Sequence, residues 1–108
     1  MAFKSQVTAN ISTSGSPSTV TPTVAAGDTA TIIGLSLANT TASNVTVSAK
    51  LNKDSGSAAF LVKDATVLPG GALAIVGGDQ KVVLEEGDSI TAYASGANSA
   101  DCVISYLS

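Results

Sequence analysis

Apolar residues in this chain recur at every second position, segment after segment, and nowhere at helical spacing. Val45, Val47, Ala49 and Leu51 alternate with Asn44, Thr46, Ser48, Lys50 and Asn52. Side chains two apart share one face of a strand, so this run reads as a half-buried strand with one wet face. Such segments are rich in Val, Ile, Thr and Ser. These residues lose rotamer freedom in a helix or compete for its backbone bonds, which removes helices as an alternative.

The same pattern divides the rest of the chain. Thr29 to Ala38 is more apolar and reads as a central strand, with Thr31, Ile33, Leu35 and Leu37 on one face and Ile32 on the other. Ala58 to Lys63 reads as a strand with Phe60 and Val62 on one face. Ala72 to Val76, Lys81 to Glu85, Ser89 to Ala94 and Asp101 to Leu107 follow. The separators are turn chemistry: Asn39 to Ser43, Lys53 to Ser57, Leu68-Pro69-Gly70-Gly71, Gly77 to Gln80, Glu86-Gly87-Asp88 and Gly96 to Ser99. Phe3 to Ile11 reads as a strand carrying Phe3, Val7, Ala9 and Ile11 on one face. Ser12 to Ser18 reads as an extended arm or long loop. Thr19 to Ala26, broken by Pro22, suits an edge strand.

The expected fold is therefore all-β, an antiparallel β-sandwich of about seven to nine short strands, with jelly-roll and immunoglobulin-like topologies both open. Residues 1–18 form a flexible N-terminal arm or edge strand in this reading, and 19–108 the sandwich domain. A chain of 108 residues is one domain, with a modest core.

Composition narrows function more than fold. Only 12% of residues are charged, and Ser and Thr dominate the polar remainder. Hydroxyls cost less to desolvate than ions, so this surface tolerates burial against a neighbour. The net charge is -3 and the five lysines are scattered, which argues against nucleic acid as a partner. Apolar runs are far short of the ~18 residues of a membrane span, and the first residues lack the apolar core of a signal peptide.

Chemistry-bearing residues are few. With no His, the common catalytic triads and zinc sites are excluded. Cys102 has no partner for a disulfide and reads as a small buried hydrophobe. Glu85, Glu86 and Asp88, with Asp79 upstream, are the only acidic cluster. Their spacing is not that of a calcium loop, and they read as a solvated turn. Gly70-Gly71 and Gly77-Gly78 read as turn glycines, without the pattern of a phosphate loop. Asn10, Asn39 and Asn44 start glycosylation sequons of the kind a Ser/Thr-rich chain produces by chance. Tyr93 and Tyr106 are candidates for a sugar-stacking pair, or more simply for packing at a core margin. No catalytic, cofactor-binding or metal residue is assigned, and no enzymatic activity is expected.

The run Phe60-Leu61-Val62-Lys63-Asp64-Ala65, then Leu68-Pro69-Gly70-Gly71-Ala72-Leu73, then Val76 through Ile90, with Thr31 to Asn39 before it, resembles small structural proteins of tailed bacteriophages of the cyanophage type. The resemblance spans residues 29 to 108 and rests on turn-and-strand motifs. It implies a virion component made in the host cytoplasm: a capsid decoration (cement) protein, or a tail- or fibre-associated part. Its partners would be the major capsid protein or tail proteins and copies of itself, with a trimer suited to threefold lattice sites. A carbohydrate-binding sandwich is the rival from another class, and it is short of aromatics.

Overall fold

The computed structural model describes residues 2–77 and 80–108. The described residues form nine strands: β1 (Phe3–Thr8), β2 (Ser18–Thr19), β3 (Ala30–Asn39), β4 (Val45–Asn52), β5 (Ala58–Val67), β6 (Ala72–Val76), β7 (Val82–Leu84), β8 (Ser89–Ala94) and β9 (Ala100–Leu107). They form two antiparallel sheets packed as a sandwich, in the orders β1-β9-β3-β6 and β2-β8-β4-β5, with β7 also on β3. We call these sheet A and sheet B.

The pairing decides the topology. β6 and β7 line the same edge of β3 and act as one interrupted strand. Counted so, the chain is a ribbon folded once at the β4–β5 hairpin, with β3 on β6/β7, β2 on β8 and β1 on β9. Wrapping that ribbon puts alternate pairs in opposite sheets, which is a jelly roll; the hairpin-by-hairpin order of an immunoglobulin fold is absent.

The core lies between two unlike inner faces. Sheet A contributes Ile32, Leu35, Leu37, Leu84 and Ile104, while sheet B answers with Val47, Ala49, Ile90, Ala92 and Ala94, all nearly or wholly removed from solvent. Large branched side chains opposite alanines let the layers interdigitate at crystal-like density. Ile11, Val20 and Val24 close the space from the connecting segments.

Three readings of the sequence are corrected. In β3 the inward residues are Ala30, Ile32, Leu35 and Leu37, not Thr31 and Ile33. Ile32 pairs with Tyr106 and Gly34 with Ser105, so Ile33 is an extra residue, and this bulge flips the alternation partway along the strand. In β5, which runs on to Val67, a register shift separates Phe60, outward opposite Lys50, from Val62, which packs on the core opposite Ala49, and a second shift follows between Val62 and Ala65. In β1 the apolar residues face outward. Phe3 and Val7 are 78% and 67% exposed, and Lys4, Gln6 and Thr8 pair with the inward Tyr106, Ile104 and Cys102. Asn10, at φ 57°, turns the chain so that Ile11 alone of that segment enters the core.

The N-terminal segment is thus an edge strand followed by a loop. Gln6 Nε2 donates to the Val20 carbonyl at 3.2 Å, and Ala2 and Ser108 exchange both backbone bonds. The predicted edge strand at Thr19 to Ala26 shrinks to the two residues of β2, because Pro22 ends the ladder.

Candidate interaction surface

The acidic residues singled out in the sequence come to one end of the sandwich. There Gly27 to Thr29, Lys53 to Ser55, Glu85, Glu86 and Asp88 line an open cleft of about 490 Å³. The turn is not simply solvated. Asp88 is 4% exposed, and its carboxylate accepts from Lys53 Nζ, from the Asp54 N–H at 3.0 Å and from the Glu85 N–H at 2.9 Å. Lys53, foremost, and the two backbone donors hold the Asp88 carboxyl down at about 2 from the usual 3.8. The same pairing raises Lys53 above its ordinary 10.5. Glu85 adds an exposed ion pair to Lys53 at 3.3 Å. The carboxylate is committed to tying the β4–β5 turn to the β7–β8 turn. Gly87, at φ 81°, has no room for a Cβ against Asp54. Among the described residues no group of His, Cys, Asp or Glu is placed to hold a metal ion. Asp79 and Gly78 lie outside the described residues.

The other candidates are dispersed. Tyr93 belongs to β8 in sheet B and Tyr106 to β9 in sheet A, so they do not form a stacking pair. Cys102 is buried, and burial pushes its thiol up to about 12, far from a nucleophile's range. Asn39 is buried too. Its amide donates to the Ser43 and Val67 carbonyls at 2.7 and 3.0 Å, and its oxygen accepts from Thr41, so it organises the β3–β4 loop.

The feature that sequence reasoning missed is the outer face of sheet A. Register places its outward residues in rows across the strands. Phe3, Leu107, Thr31 and Val83 form one row; Ser5, Ser105 and Gly34 the next; Val7, Val103, Ser36 and Ala74 a third; and Asp101, Ala38 and Ala72 a fourth. Two rows with large apolar groups flank a row of small residues, and Asp101 at the end is the one ionisable side chain in these rows. Singly exposed apolar residues are ordinary, but a contiguous neutral face of this kind is a candidate interaction surface. β9 carried the signal: Cys102, Ile104 and Tyr106 point in, yet Val103 and Leu107 point out, a composition usual for strands covered on both faces.

The outer face of sheet B differs. Phe60 meets Tyr93 edge-on at 6.5 Å between centroids, and Lys50 and Lys63 place their ammonium groups 5.3 and 5.7 Å from the Phe60 ring. Ser48, on the same face, is wholly buried. Its Oγ accepts from the Asp64 N–H at 2.9 Å and donates to the Asp64 carboxylate, fastening a bulge where Asp64 has φ 52°.

No family model, curated protein or solved structure matches the chain.

Proposed function

We propose that this protein is a non-enzymatic structural component of a tailed-phage virion, acting as a capsid decoration (cement) protein. The observation that carries the reading is the neutral outer face of sheet A, where Phe3, Val7, Val83 and Val103 are each about half exposed or more, without charges among them. A face of apolar and hydroxyl groups loses little on desolvation and gains on contact, which suits adhesion rather than turnover. Jelly rolls serve capsid proteins, lectins and cupins alike, so the fold by itself does not choose among roles. The resemblance of residues 29 to 108 to small phage structural proteins directs the choice to the virion.

In this role many copies lie over the joints between shell subunits, each contributing a modest contact, and the strength comes from their number. The test is immunogold labelling of intact virions with an antibody to this protein. Gold distributed over the head is the expected result. Gold confined to the tail rejects the decoration role in favour of a tail or fibre part, and no gold on particles rejects the virion role altogether.

A further inference from the structure

We infer that β1 is a self-recognition edge, and that two copies of this chain pair through it, antiparallel and centred on Ser5, into one continuous sheet. The inference stands apart from the virion role: it concerns the open backbone edge of a strand, whose Phe3 and Val7 side chains also border the outer face of sheet A.

Among the described residues no strand pairs with the outer side of β1. Its backbone alternates. Ala2 exchanges both hydrogen bonds with Ser108, so by antiparallel alternation Lys4, Gln6 and Thr8 also turn their N–H and C=O groups to β9. Phe3, Ser5 and Val7 therefore present theirs to the open edge. The other outer strands are blunted. The edge formed by β6 and β7 is interrupted, with a bulge in β6 and only three residues in β7; β2 is two residues long and followed by Pro22, and β5 carries two register shifts, Lys63 and a positive-φ Asp64. Short strands, bulges and lysines are the usual defences of a sheet edge. β1 has neither shift nor proline over six residues, and its one lysine, Lys4, is exposed on the face opposite Phe3, Ser5 and Val7, beside Tyr106 and Ser108.

An open edge is complementary to another extended strand, and the residues of β1 favour its own image. A twofold axis through Ser5 sets Ser5 against Ser5 and Phe3 against Val7 of the second copy, all at positions that exchange backbone bonds. Phe3 with Val7 is an aromatic–β-branched cross-strand pair on the outer face, of the kind that stabilises sheets. The same register sets Lys4 against Gln6 rather than against its own image, which separates the like charges. Each copy carries a net charge of -3, and this edge lets two of them meet without bringing carboxylates together. The contact is isologous, so it closes as a dimer and not as the trimer a threefold site would call for.

The experiment is sedimentation equilibrium of the full chain from micromolar to millimolar concentration, with amide hydrogen exchange at both ends of the range. The expected result is a doubling of mass from 10.6 kDa, with slowed exchange at Phe3, Ser5 and Val7 only where the dimer is populated. Ser5→Pro removes a donor that faces the open edge, not β9, so it is expected to return the mass to one chain with the fold's circular dichroism unchanged. Val7→Lys, which leaves the β1 backbone intact, is expected to do the same and covers the case of a proline variant that does not fold. A monomer throughout, a trimer, or a dimer whose Phe3, Ser5 and Val7 amides exchange freely overturns the inference.

Discussion

The two outer faces of this sandwich are built from strands of similar length, yet they have opposite characters. Sheet B meets water with lysines laid over an aromatic ring, a buried serine fastened to a bulge, and edges that are short or irregular. Sheet A meets it with apolar and hydroxyl rows and a regular edge. Sheet B is finished as a surface, whereas sheet A has the composition of an interior without a cover.

Substitutions can break that contrast in order of size. Ile104→Ala, on the inward side of β9, opens a cavity and costs about 2–5 kcal/mol, read as a lower urea midpoint. Next is the end of the sandwich. Asp88 in the unfolded chain takes up a proton near 3.8, whereas folded Asp88 holds out to about 2. Its contribution is complete above pH 3.8 and is lost as pH falls toward 2. Asp88→Asn lowers stability at neutral pH and flattens that part of the acid limb, measured by urea titrations across pH. Ser48→Ala strands the Asp64 N–H and costs about 1–3 kcal/mol by the same assay. Lys50→Ala removes one cation from Phe60 and costs about 0.5–1 kcal/mol. Val103→Lys, one residue from Ile104 but on the outer face, changes stability by no more than about 0.5 kcal/mol. In a binding assay with shells lacking this protein it abolishes attachment under the decoration role. If Val103→Lys unfolds the protein, the face is core rather than contact, and the contrast fails.

Period two was enough to place β4, β8 and β9 within a residue, because each holds one alternation from end to end; β6 was bounded by the turns on either side, although a bulge at Ile75 shifts its alternation. β3 and β5 were misread for a single physical cause. A bulge inserts one residue and inverts the assignments beyond it; the one in β3 was marked locally by a glycine, whereas the one between Phe60 and Val62 had no local mark. The acidic turn was legible as a turn, but its buried carboxylate depends on Lys53, far along the chain, and no local pattern reports that. The jelly roll was one of two topologies left open, since pairing between distant strands has no periodic signature. The neutral face was hidden for the same reason: Val7, Val103 and Val83 become neighbours in rows only once β1, β9, β3 and β7 are in register.

The pairing of β1 with β9 also sets an order of events. Of the nine strands, the first to leave the ribosome bonds to the last, and Phe3 to Thr8 waits through the synthesis of nearly all the others before its partner exists. Closing so distant a contact is slow, and a waiting strand with unpaired backbone is exposed to other nascent chains. The segment is therefore the strand that spends longest with its backbone unpaired during synthesis.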